Sequence, residues 1–136
     1  MTTFSPIPAY VLGGACVGRG LMALAYPRQE YAHVGLPLET PTPPINDRAV
    51  SSDATASPLM YFKGIRELVI GTTLVALQLQ RNQDAVTTFA AIMALARFGD
   101  GTVVWLHGGD ALRFKALGHW ITGAGFVGWV VWRWTR

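Results

Sequence analysis

Four ionisable residues lie inside apolar stretches of this chain as two opposite-sign sets, Arg66-Glu67 in one stretch and Arg97 with Asp100 in the next. In hydrocarbon a charge costs from about 2.5 to more than 10 kcal/mol, so such groups turn toward a bundle interior or a wet cavity. Arg97 and Asp100 are three apart and share one helical face. They can pair with each other, or Asp100 can pair with Arg66 or Arg19 across the bundle. Gly99 and Gly101 flank Asp100 and leave room for a neighbouring backbone or a ligand. Arg66 and Glu67 are adjacent, so their side chains diverge by about 100°, and one can face the centre while the other reaches an interface or loop. With the two helices antiparallel, Glu67 near the start of one lies level with Asp100 near the end of the other. Two carboxylates at matched depth beside arginines allow one to stay protonated, which suits general acid–base work on an apolar substrate.

Histidine adds a proton relay. His119 lies at a comparable depth in the following stretch, and His107 precedes Gly108-Gly109. A hydrogen-bonded structural role is the alternative for each. Arg19, Tyr61, Trp105, His107 and Trp120 are candidate substrate contacts, with interface anchoring or packing as the other reading of the aromatic residues. No metal site is expected. His107, Asp110 and His119 follow no ligand spacing, and Cys16 is the only cysteine. Cys16 itself reads as packing among small residues. Without a P-loop, a GxGxxG after a strand or a GxSxG, nucleotide cofactors and serine nucleophiles drop out, so any catalysis is expected to be cofactor-independent.

The elements that hold these groups follow from composition. Of 136 residues 51% are hydrophobic and only 14% charged, well below the quarter typical of soluble domains. The length suits one domain, and the dispersed net charge of +3 excludes a nucleic-acid surface. An all-α, integral membrane four-helix bundle is expected, with spans at about 8–26, 59–80, 85–106 and 111–132. The first span is also readable as a signal peptide, but no basic residue precedes it and Arg19 interrupts it. Residues 27–58 are rich in proline and polar residues and form an expected extramembrane loop, either a lid or a passive linker. Ser57-Pro58 looks like an N-cap followed by proline at the first helical position. Asp84 is the expected cap of the third helix, after a short polar turn that makes the second and third helices a hairpin. Trp129, Trp132 and Trp134 with Arg133 and Arg136 read as a headgroup-level anchor. Basic residues balance across the two sides, so orientation stays open. Gly14-Gly18 and Gly125 near Gly128 make a homodimer plausible.

Tyr26-Pro27-Arg28, His33-Val34-Gly35-Leu36-Pro37, Lys63-Gly64-Ile65-Arg66-Glu67-Leu68, Asp100-Gly101 and His107-Gly108-Gly109, with His119, resemble the domain-of-unknown-function 4267 family over nearly the whole chain. Its members are small four-span membrane proteins of bacteria and fungi, and a more distant likeness runs to DoxX-type proteins. Glu67 stands where many relatives carry aspartate. The resemblance implies topology and no activity. By analogy of design with small fungal membrane proteins, the leading expectation is a cyclase or isomerase of a lipophilic terpenoid or polyketide. Glu67 and Asp100 would be acid and base, Arg66 and Arg97 their partners, and His119 the relay. The membrane would be the endoplasmic reticulum in a fungal host or the inner membrane in a bacterial one. The alternative is a non-catalytic accessory or lipid-binding protein whose ion pairs only set helix register. A transporter is disfavoured by the small number of helices.

Overall fold

A computed structural model of the chain describes residues 4–38 and 56–136, and all regular structure among them is helical. The helices are α1 (Ile7–Ala25), α2 (Pro27–Val34), α3 (Pro58–Leu79), α4 (Gln83–His107), α5 (Gly109–Leu112) and α6 (Ala116–Trp134), with a 3-10 turn at Arg113–Lys115. α1 packs along α3 and α4 along α6, while α3 and α4 touch over a shorter stretch.

Each long helix turns inward a stripe spaced by threes and fours. In α1 it is Ala9, Gly13, Cys16, Gly20 and Ala23. In α3 it runs Met60, Gly64, Glu67, Gly71, Leu74 and Gln78. That spacing is the signature of one helical face. Small residues let α1 and α3 approach closely. A methyl group on Gly71 would strike the Gly13 carbonyl and Val17, and one on Gly20 would strike Leu68 and the Gly64 carbonyl. Gly14, Gly18, Gly125 and Gly128, the glycines expected to mediate association between copies, face open space. Between α4 and α6 the core is bulkier, built from Met93, Phe126 and Val130 around Ala90 and Ala94.

Helix ends match the sequence in part. Ser57 Oγ accepts from Leu59 N–H at 3.3 Å, the expected N-cap. At the start of α4 the cap is Asn82, whose Oδ1 accepts from Ala85 N–H at 3.1 Å, and not Asp84, which lies in the first turn. Helix entry comes earlier than expected there, after a turn in which Arg81 takes φ 56°.

The expected loop over 27–58 needs a larger correction. Its first eight residues form α2. Proline at the first helical position gives up an N–H that has no intrahelical acceptor, so Pro27 starts a helix as readily as it would prevent one further in. Tyr26, pushed out of helical geometry ahead of the proline, is the corner between α1 and α2. Gly35, at φ 97°, closes α2, with its N–H and that of Leu36 both donating to the Tyr31 carbonyl. Residues 39–55, where most of the loop was expected, lie outside the described residues. The last expected span also starts late. The chain leaves α4 through Gly109 at φ 63°, makes one short helix and one 3-10 turn, and settles into α6 at Ala116.

Four spans are expected from the sequence, and among the described residues two helices, Ile7–Ala25 and Gln83–His107, are long and apolar enough to cross a membrane. Lys63, Arg66 and Glu67, all within the first half of α3, reduce the apolar character of that helix.

Candidate functional site

Glu67 occupies the middle of the buried stripe of α3, and its side chain is only 3% exposed. Opposite it on α4, Arg97 donates from Nη2 to Glu67 Oε2 at 3.2 Å and from Nη1 to Oε1 at 3.4 Å. This is the two-pronged match of guanidinium to carboxylate. One turn on, Asp100 meets Arg97 Nη1 at 3.6 Å and Arg66 Nη2 at 3.0 Å. Adjacent positions on α3 therefore do different things. Glu67 points inward, while Arg66, half exposed, reaches around to Asp100. The antiparallel register of α3 and α4 makes this quartet, and it resolves the partner of Asp100 as both Arg97 and Arg66. Arg19 goes elsewhere.

Arg19 belongs to a second group. Its Nη2 lies 2.7 Å from Glu30 Oε1, and Lys63 Nζ lies 2.9 Å from the same oxygen. Glu30 is carried by α2 and is buried. It enters the bundle because Tyr31 and Val34 on the same short helix are buried too. Ser57 N–H donates to the Tyr31 hydroxyl at 3.1 Å, tying α2 to the head of α3. Lys115 Nζ donates to the Ala32 carbonyl, and His119 Nε2 lies 3.1 Å from the Val34 carbonyl. Residues before α6 and within it thus hold the last turn of α2, a favourable place for cations.

Both groups open on one cavity of about 420 Å³, within the range of small-molecule sites. Its charged wall is Arg19, Lys63, Arg66, Glu67, Arg97 and Asp100, and its apolar wall includes Leu12, Val34, Leu36, Val103 and Phe126. His119 and Cys16 also face it. Cys16 is buried and its Sγ lies 3.7 Å from Arg97 Nη2, so the thiol belongs to the quartet's surroundings as well as to packing.

All five expected catalytic residues, Glu67, Asp100, Arg66, Arg97 and His119, line this cavity, as does Arg19. Four expected substrate contacts do not. Tyr61 borders a separate surface hollow beside Tyr26. Trp105 and Trp120 pack on each other with ring centroids 5.7 Å apart, and Arg113 lies over Trp105. His107 is the exposed last residue of α4. Glu30 and Lys63 are site residues that sequence reasoning passed over. Among the described residues no three His, Cys, Asp or Glu side chains are grouped to hold a metal ion.

Comparison with known families gives one match. The family described as Domain of unknown function (DUF4267) covers residues 13–133. The chain belongs to this family. No curated protein matches the chain, and no solved structure does. The DUF4267 match takes in α1 from Gly13 onward and nearly all of α6, so every cavity residue except Leu12 lies inside it.

Proposed function

We propose that this DUF4267 protein is an integral membrane enzyme that isomerises or cyclises a lipophilic small molecule by cofactor-independent acid–base catalysis. The observation that carries the reading is that Glu67 and Asp100 share Arg97 at the wall of an otherwise apolar cavity. A membrane setting is supported by the surface of the bundle. In each of the two helices long and apolar enough to cross a membrane only 28% of an 18-residue apolar stretch is buried, and large side chains such as Leu21, Val69, Ile92, Leu95, Leu106 and Ile121 are exposed. Hydrocarbon is the solvent that accepts such a surface. On this reading α3 and α6 complete a four-span bundle, with the charges of the first half of α3 turned to the cavity.

The chemistry follows from the partners. Asp100 is the more exposed of the two carboxylates and the one shared by two arginines. As base it takes a proton from the carbon between a carbonyl and a C=C double bond; the C–H pair forms a new C=C bond to the carbonyl carbon, the C=O π pair moves to oxygen, and Arg66 and Arg97 stabilise the resulting dienolate. Returning that proton to the far carbon of the dienolate shifts the double bond into conjugation and completes an isomerisation with no external oxidant or reductant. Glu67 orients Arg97, and His119 relays protons at the far wall.

A second reading has its own observation. Glu30, Glu67 and Asp100 are each ion-paired, through links that join α1, α2, α3 and α4. Such a network also fits a non-catalytic accessory or lipid-binding protein whose pairs set helix register. Lipid extracts of a host deleted for the gene, and complemented with wild type, E67Q or D100N, separate the two. Wild type should restore a missing lipophilic product while both variants, shown by thermal unfolding to be folded, leave its isomer or uncyclised precursor. Full restoration by both variants removes the catalytic assignment.

A further inference from the structure

Charge is not evenly spread over the cavity wall. Arg66, Glu67, Arg97 and Asp100 form a balanced set, two of each sign. At the other group two cations, Arg19 and Lys63, converge on a single oxygen of a single carboxylate, Glu30. Both cations line the cavity and Glu30 does not. Among the described residues these two cations outnumber the one buried carboxylate they share, and the surplus of one positive charge is carried by side chains that line the cavity. Two converging cationic donors beside apolar walls are complementary to one anionic head attached to a hydrocarbon body.

We infer that the cavity takes a single-chain amphiphile with one anionic head, a carboxylate or a phosphate monoester, docked on Arg19 and Lys63. This rests on the proposed reading of the cavity as the place where a lipophilic molecule binds, and it names the class of that molecule. The head sits against α1 and the first turns of α3, and the chain lies along Leu36, Val104 and Phe126 past the Glu67–Arg97–Asp100 set. Such a pose presents the middle of the hydrocarbon body, and not the head, to the two carboxylates. Specificity for the head and chemistry on the body are thereby assigned to different residues.

The full chain in maltoside micelles, at mildly alkaline pH, is titrated with oleate and oleyl phosphate, each against oleyl alcohol as the uncharged probe of equal chain length. At least one anionic probe should bind about tenfold more tightly than the alcohol, the size of one charge-assisted hydrogen bond. R19Q and K63Q should each remove about that factor for the anionic probe and leave oleyl alcohol unchanged. E30Q, which keeps shape and both cations, should move the other way and strengthen anion binding. Equal binding of all three probes by the wild type overturns the inference whether or not the variants fold. So does an anion preference that E30Q and R19Q leave untouched. E67Q and D100N should keep the preference, so loss of turnover without loss of oleate binding separates failure of the catalytic reading from failure of this one.

Discussion

Arg133 is buried in this bundle and Arg97 partly buried, and their surroundings have little in common. Arg97 faces a cavity and is held by two carboxylates, one on another helix. Arg133, near the end of α6, lies at the opposite end of α4, about 20 Å away along that helix. Arg133 Nε donates to Thr87 Oγ1 at 2.7 Å, and its Nη2 donates to the Gln83 carbonyl and side-chain oxygens at 2.9 and 2.7 Å. Phe4 and Trp129 lie against its guanidinium, with ring centroids 4.4 and 5.3 Å from its carbon. Its partners are neutral oxygens and aromatic rings, its Nη1 is buried without a hydrogen-bond partner among the described residues, and the cavity does not reach it. That is how a charge is buried when its task is to fasten two helices. Charged groups spread over α1, α2, α3 and α4 around a cavity of about 420 Å³ are arranged differently. An arginine used only as a clamp has no need of a cavity or of shared carboxylates, and the contrast is the strongest internal argument for a binding site at the Arg97 end.

The comparison breaks most readily at Arg97. R97M leaves Glu67 buried with no cation in contact, and breaking a buried pair in this way costs roughly 3–5 kcal/mol. Denaturant unfolding in micelles should show a loss of that order, while E67M/R97M recovers most of it, because apolar replacement of a whole buried pair is close to neutral. A single-variant loss below about 1 kcal/mol would mean that Glu67 reaches solvent, since only exposed pairs are worth so little.

Smaller losses are expected at Arg133. R133M removes charge-assisted bonds but strands no charge, since Gln83 and Thr87 are neutral and sit in the first turns of α4, beside its free end. A loss of about 2 kcal/mol follows from those bonds and the ring contacts. Oleate binding and product restoration should stay at wild-type level in the folded protein. Loss of either, at unchanged fold, would merge the two ends into one functional unit and end the contrast.

How much of this was legible without coordinates depends on the kind of contact. The 3–4 stripe that buries Glu67 in α3 and Cys16 in α1 is written in the sequence. The same rule applied to Phe126, Val130 and Arg133 turns Arg133 inward, although its neighbours Trp132 and Trp134 make it read as a headgroup anchor. Pairing across helices is another matter. Whether Asp100 meets Arg97, Arg66 or Arg19 depends on the register of α3 against α4, which the local pattern of neither helix specifies. Glu30 was illegible for a different reason. PRQEYAHV is short, polar and opens a proline-rich tract, so its local pattern points to a loop. Only tertiary burial of Tyr31 and Val34 makes it a helix and draws Glu30 in.

A third ion pair supplies the low end of the scale. Asp110 and Arg113 lie three apart just before α6, at 3.4 Å, with side chains 97% and 53% exposed. Their separation is close to that of Arg97 and Glu67, so distance alone would rank the two pairs together. Solvent decides otherwise, because an exposed pair exchanges one set of water contacts for another and loses side-chain freedom in doing so. D110N should therefore change unfolding free energy by no more than about 0.5 kcal/mol and leave oleate binding as it was. A loss approaching that of R97M would mean that Asp110 is covered by something the isolated chain does not contain, and the comparison of buried ends would have to include that surface.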